Sequence, residues 1–377
     1  MLKPKKAINV NKPTKLRAKL NSPIAEAPIF RATNNNAIQP IIALTFSAAK
    51  SRAILREVAI DTALWMGFKA RPLEGIVSSK LIVAGVLALD DLKTPVRSEK
   101  GIVGGAGVYS SVASSFFTET ALIAAVGNDF PNYITDELKN KNINLDCVKK
   151  LDFPTFHWSG EYVGDMSQAI THETDFQIND HYNWEVGEQY KSIDFALLCN
   201  NDPAIQIKVL EQLKSEVVAL DTMNLWIDIQ KQQLDEVVAK IQLLFLNDAE
   251  AQMYSQEKEL DDAAKILLNK GPDYVIIKRG EKGATVYDEK SKNEIPSYMI
   301  NNFIDPTGAG DTFAGAAMGY IAKKGECSYE TLIRAMHYGS AAASITVEGF
   351  GTESIMKANV EKINERFKKL IGGPGRI

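Results

Sequence analysis

From Phe195 to Ile277 the chain repeats one unit, a short apolar run followed by a segment of helical period and a second apolar run. Phe195-Ala196-Leu197-Leu198-Cys199 leads through Asn200-Asn201-Asp202-Pro203 to Ile205, Val209, Leu210 and Leu213, spaced for one face of a helix, and then to Val217-Val218-Ala219-Leu220. Leu234, Val237, Val238 and Ile241 form the next helical face, ahead of Leu243-Leu244-Phe245-Leu246. Residues 263–268 form another, ahead of Tyr274-Val275-Ile276-Ile277. Strands joined by crossover helices must run parallel, and a parallel sheet needs helices on both faces. The spacing predicts an α/β fold of this kind. Leu81 to Val86 and Ala121 to Val126 are read as further buried strands. Gly280 and Gly283 bracket a turn into Ala284-Thr285-Val286-Tyr287, an expected antiparallel strand. Helices are expected at 309–323, 329–345 and 357–370.

One stretch breaks this alternation. Residues 153–183 are rich in aromatic and hydroxyl side chains, among them Phe156, Trp158, Tyr162, Phe176 and Tyr182, and show no helical period. The segment is read as a small β excursion and candidate lid, with a hairpin that only packs as the plainer reading. Trp158 and Phe156 are candidates to stack on a nucleobase, or to pack the lid itself.

Composition narrows the classes of function. A net charge of −4 over 377 residues gives no whole-chain case for nucleic acid or membrane as a partner. No apolar run reaches the ~20 residues of a membrane span. Cys147, Cys199 and Cys327 are far apart, odd in number and outside any C-x-x-C pattern, so they read as reduced thiols of a cytoplasmic compartment. His157, His172, His181 and His337 have no zinc-ligand spacing. Residues 1–78 carry 13 Lys and Arg against 4 Asp and Glu. They read as a basic extension, either a disordered tail or the product of a start codon placed too far upstream, with organellar targeting as the alternative. A short helix is expected within it at 54–68. The remaining organisation is one domain over 79–371 and a tail over 372–377.

The chemistry concentrates in Asp305-Pro306-Thr307-Gly308-Ala309-Gly310-Asp311-Thr312-Phe313-Ala314-Gly315. Small residues opening an apolar helix let a phosphate approach unpaired N–H groups, where the helix dipole favours anionic oxygen. Asp311 stands beside them as a candidate base; as a plain helix cap it would need none of the surrounding glycines. No G-x-x-x-x-G-K-[ST] occurs, so a P-loop is excluded.

This segment closely resembles the C-terminal motif of PfkB-type carbohydrate kinases, the ribokinase family, and further matches follow in family order from Lys80 to Leu370. The resemblance implies a ribokinase-like three-layer α/β/α sandwich with a mostly parallel sheet and a small β lid over about 92–102 and 153–183. It implies transfer of the ATP γ-phosphoryl group to a hydroxymethyl group of a small sugar. A nucleoside is the alternative acceptor, and a non-catalytic sugar- or nucleotide-binding regulator is the alternative class. By the same resemblance Asp311 is the general base, and Gly308, Ala309 and Gly310 supply the anion hole. Asn247 and Glu250 match the family's N-x-x-E motif, which organises Mg²⁺ and the triphosphate through water; by itself that pattern is also a capping box.

Gly85 to Asp90 resembles the family's first strand and loop, giving Asp90 the substrate hydroxyls, with Asp91 adjacent. Gly104 and Gly105 resemble the glycines that approach the sugar, and Trp158 joins them as a substrate contact. Tyr109 and Ala106 depart from the residues ribokinases carry there, which counts against ribose itself. Gly127-Asn128-Asp129 is read as a structural turn. Lys278, Gly280, Gly283 and Thr307 are expected along ATP, with Asp305 and Thr307 also matching a monovalent-cation position of some relatives. A homodimer through the lid is implied by resemblance alone.

Overall fold

The computed structural model describes residues 80–372 apart from 165, 167 and 168. The readings made for residues 1–78 and for 373–377 lie outside the described residues. Among the described residues the strands form two sheets. In chain order they are β1 (Leu81–Ala84), β2 (Ala88–Lys93), β3 (Ser98–Gly104), β4 (Thr120–Val126), β5 (Ile143–Lys150), β6 (Phe156–Tyr162), β7 (Ala169–Asp175), β8 (Phe195–Leu198), β9 (Val217–Asp221), β10 (Leu243–Asn247), β11 (Tyr274–Lys278), β12 (Ala284–Tyr287) and β13 (Lys292–Ile295).

The large sheet is nine-stranded in the order β13-β12-β11-β10-β9-β8-β1-β4-β5. Every pair from β11 to β5 is parallel, while β12 and β13 close one edge antiparallel. Its strands are apolar throughout because side chains point alternately into two cores. Leu81, Val83, Leu122, Ala124, Leu243 and Phe245 enter the cluster beneath the helices Ala106–Ser115, Ala309–Lys324 and Tyr329–Thr346. Ile82, Ala84, Ile123, Leu244 and Leu246 enter the opposite cluster beneath Pro203–Leu210, Lys231–Val238 and Leu260–Leu268. This is the α/β/α sandwich the alternation predicts. No helix among the described residues is long and apolar enough to cross a membrane.

The small sheet has the order β3-β2-β6-β7. Asp90 lies on β2, within a strand and not in the loop the sequence reading gave it; the chain leaves the large sheet at Ala84, two residues earlier than expected. Asp90 and Asp91 are successive on β2 and so turn to opposite faces of the small sheet, with a register shift against β3 between Asp90 and Leu92. The excursion read over 153–183 is strand at Phe156–Tyr162 and Ala169–Asp175. Gln177–Asp180 is a helical turn, and Ile178, Tyr182 and Trp184 are buried in the second core. The aromatic content that marks the lid therefore serves the body at its far end. Edge strands β5 and β13 were not legible, since INLDCVKK and KNEI carry too few apolar residues. The helix expected at 357–370 is Val360–Ile371, starting three residues later because the Asn359 side chain caps it by accepting from Lys362 N–H at 2.9 Å; Glu353–Lys357 is a separate short helix before it.

The helix Ala309–Lys324 is buried on nearly every face from Thr312 to Ala322, which its run of Gly and Ala permits. A Cβ at Gly319 would stand 2.7 Å from Ser114 backbone, and one at Gly315 would overlap Ser110 backbone. That close approach sets the start of this helix against the glycine segment 104–107. Ser110 Oγ donates to Asp311 O at 3.0 Å across the junction.

Candidate active site

Four strands of the large sheet deliver functional groups from their carboxyl ends, where ligands bind in such sheets. Asp221 ends β9, Asn247 ends β10, Lys278 ends β11, and the chain after β1 rises into the small sheet carrying Asp90.

Asp311 stands in the first turn of the helix opened by Gly308, which adopts a left-handed φ of 72°. A side chain there would be strained, and a Cβ would overlap the Tyr109 ring packed on it. Of the three amides expected in the anion hole, Ala309 N–H is spent on Pro306 O at 3.1 Å. Gly308 and Gly310 N–H have no hydrogen-bond partner among the described residues, as expected for a helix start. Burial raises the Asp311 carboxyl to about 7, with Asp221 adding to the rise and Lys278 opposing it.

Asp90 is 5% exposed, and its Oδ1 has no hydrogen-bond partner among the described residues. A buried orphan acceptor of this kind is costly unless a ligand donates to it. Burial raises its carboxyl to about 8, against the Trp158 backbone bond, which lowers it. Gly104 faces it so closely that any Cβ would overlap Oδ2. Gly105, at φ 90°, carries the chain over Val86, whose carbonyl would be 2.5 Å from a Cβ. Asp91 points to the other side of the small sheet, where it accepts from Gly101 N–H at 2.9 Å and faces His157 and Lys100 at 3.5 Å. Of the two adjacent aspartates, Asp90 is the one turned into the site. Trp158 is its register partner on β6. The indole N–H donates to Thr171 at 3.1 Å and the ring covers Gly160, leaving Trp158 half-buried.

A buried carboxyl with one oxygen unpartnered has a stability consequence. Its folded pKa is raised, so the folded state binds the proton more tightly and loses stability as pH rises from about 4 to about 8. Asp90→Asn is therefore expected to raise the melting temperature by about 2–4 °C at pH 8 and to leave it unchanged below pH 4, while acceptor binding is lost. Thermal melts across pH with and without acceptor check this; an equal shift at every pH contradicts it.

Asn247 and Glu250 form a full capping box: Glu250 N–H donates to Asn247 Oδ1 at 2.8 Å, and Asn247 N–H to Glu250 Oε2 at 2.7 Å. Glu250 is buried, which raises its carboxyl to about 7. Among the described residues no group of three or more His, Cys, Asp and Glu side chains is placed to hold a metal ion. The donor set fits Mg²⁺ only as an ion that would arrive with phosphate and water ligands, with Glu250 and Asn247 as the residues to hold it. Thr307 is half-buried: its hydroxyl and N–H donate to Asp305 Oδ1 at 2.6 and 2.9 Å, and Gly351 N–H donates to Asp305 Oδ2 at 2.7 Å. Gly280 is left-handed with open space beside it, and Gly283 packs against the Ile295 carbonyl. Asp129 accepts from Thr155 N–H at 2.9 Å and ties the turn at Gly127 to the segment that enters β6.

Two groups were missed in the sequence. Asp221 accepts Lys278 Nζ with both oxygens, at 2.8 and 2.7 Å. Its signal was an acidic residue directly following the apolar run Val217–Leu220. Tyr162, at the end of β6, is bonded to Thr307, and burial raises its phenol to about 12.

Residues 82–359 match the family model described as pfkB family carbohydrate kinase. The chain belongs to this family. The match takes in every residue assigned to the site above, from Asp90 to Asp311, so this chain is a kinase that transfers phosphoryl to an alcohol acceptor. The chain is 30% identical over 250 residues to the cytidine kinase of Thermococcus kodakarensis, covering 62% of this chain and 86% of that protein. It is 25% identical over 321 residues to the ribokinase of Staphylococcus aureus, covering 77% of this chain and all of that one. The crystal structure of the Methanocaldococcus jannaschii nucleoside kinase, an archaeal member of the ribokinase family, superimposes with a TM-score of 0.63 at 23% identity, over 78% of this chain and 99% of that one. Kinases of the ribokinase family use ATP and Mg²⁺.

Proposed function

We propose that this kinase transfers the γ-phosphoryl group of ATP to the hydroxymethyl group of a nucleoside, with Asp311 as general base. The observation that carries the reading is the buried, unpartnered carboxylate oxygen of Asp90, whose register partner on β6 is the half-buried Trp158. Asp90 accepts acceptor hydroxyls, and the fixed indole offers a face on which a base can stack. Similarity to a cytidine kinase over most of that protein's length supports the choice of acceptor.

Asp311 takes the proton of the hydroxymethyl group as its oxygen attacks the γ-phosphorus. The Gly308 and Gly310 amides receive the charge that gathers on the transferring group. Ala309 contributes to the turn through Pro306 and plays no such part. Transfer through a loose transition state depends mainly on such positioning and charge stabilisation. Glu250 and the Asn247 side chain would hold Mg²⁺ through water, and the ion would supply charge neutralisation to the phosphates. Lys278 and the open left-handed turn at Gly280 lie along the nucleotide. The small sheet closes over the acceptor and keeps water from the base.

A free sugar is the second reading, and similarity to a ribokinase along that protein's whole length favours it. Initial rates with Mg-ATP over cytidine, uridine, adenosine, ribose and fructose decide between them. The proposal predicts that kcat/KM for at least one nucleoside exceeds that for every sugar by about tenfold or more; a sugar leading the panel overturns the choice of acceptor.

A further inference from the structure

The Asp221–Lys278 pair adjoins Gly310 through the lysine, and nothing said so far gives Asp221 a task. Asp221 ends β9 and Lys278 ends β11, with β10 between them; Phe245 pairs with Asp221 and Asn247 with Lys278. The two side chains reach across that strand to meet. Their side chains are only 4% and 16% exposed. A buried ammonium needs a counter-ion, and a carboxylate that takes it with both oxygens fixes its position. Two of the three ammonium donors are then used, and one remains.

The ammonium also adjoins the anion hole. A Cβ at Gly310 would stand 3.0 Å from Lys278 Nζ, so the residue that offers an open amide also makes room for the charge. We propose that Asp221 is a positioning residue that holds the Lys278 ammonium beside the Gly310 amide, where its third donor meets the γ-phosphoryl group in transfer. Lys278 thereby supplies the full positive charge in a hole otherwise made of backbone dipoles. Other charged and titratable groups face the cluster too: Glu250 from the helix after β10, Asp311 itself, and Cys199 at the end of β8. The Lys278 ammonium is the sole cation among these; its burial works against the charge, but the carboxylates of Asp221, Glu250 and Asp311 outweigh that and raise its pKa.

The inference rests on the proposed site around Asp311, and a double-mutant cycle tests it separately. Lys278→Met is expected to lower kcat by about 10²–10³-fold, as for loss of one anion-hole donor, with the KM for the alcohol acceptor within about twofold. Asp221→Asn leaves a lysine without its guide and is expected to lower kcat about tenfold. The double variant is expected to be no slower than Lys278→Met, because Asp221 acts through Lys278. Asp221→Glu, which restores the charge, should recover part of the loss. Calorimetry with ATP and ADP gives a second readout independent of turnover, in which Lys278→Met weakens ATP more than ADP. A pair that only braces the fold would lower the melting temperature of each variant and leave kcat per folded molecule and the ATP-to-ADP ratio unchanged, which overturns the proposal. Fully additive losses overturn it as well. If Asp311→Asn turns over normally, the general-base reading has failed; if Asp311→Asn is inactive while Asp221→Asn and Lys278→Met are normal, only this inference has.

Discussion

Asp311→Asn is expected to lower kcat by about 10²–10⁴-fold, the contribution of a well-placed general base, with ATP affinity nearly unchanged. The substitution keeps the shape of the side chain and removes only its capacity to take a proton. Its effect on stability should run the other way. Burial raises the Asp311 carboxyl to about 7, so the ionised form costs the folded state stability as pH rises from about 4 to about 7. An amide escapes that cost, and the variant should melt no lower than the parent at pH 8. Turnover and melting temperature measured on the same preparation separate loss of chemistry from loss of fold. A variant that is both slow and unstable would place Asp311 among the groups that hold the helix start in shape.

Gly308→Ala is expected to produce a loss of similar size by another route. The residue holds a left-handed backbone at φ 72°, and an added methyl would overlap the ring of the fully buried Tyr109. The left-handed conformation costs a non-glycine residue roughly 1–2 kcal/mol, and overpacking a filled site typically 1–3 kcal/mol. The helix start relieves both by shifting, which withdraws the Gly308 and Gly310 amides from their positions. Loss of one such donor is worth about 10²–10³ in kcat. Tyr109→Ala in the Gly308→Ala background removes the overlap and should recover part of the turnover. The absence of any recovery would assign the loss to backbone conformation alone.

The opening helix turn was legible because its chemistry is local. Small residues, an acidic residue and an apolar helix lie within Asp305–Gly315, and the structure keeps them together. The parallel sheet was legible for a similar reason, since residues such as Leu243 to Leu246 must be apolar on both sides when helices cover both faces. What depended on long-range placement was not. Asp221 and Lys278 are 57 residues apart and meet only because β9, β10 and β11 lie side by side. No spacing rule announces such a pair. Asp90 and Asp91 are equivalent in sequence, and only the pairing of β2 with β3 and β6 turns one inward and the other to Gly101. That Ala309 N–H donates to Pro306 O was not legible either, because that turn depends on backbone geometry rather than composition. The N-x-x-E segment is a capping box and a candidate ion site at once, and both readings use the same two side chains.

The pH dependence of kcat/KM tests the general-base assignment most directly. Asp311 must be ionised to take the hydroxyl proton, and its folded carboxyl lies at about 7. The account predicts a rate that climbs through pH 7 and levels off above it in the wild-type enzyme, with the slow residual rate of Asp311→Asn losing that limb. A wild-type rate that is flat between pH 5 and 9, or a limb that survives in Asp311→Asn, would contradict it.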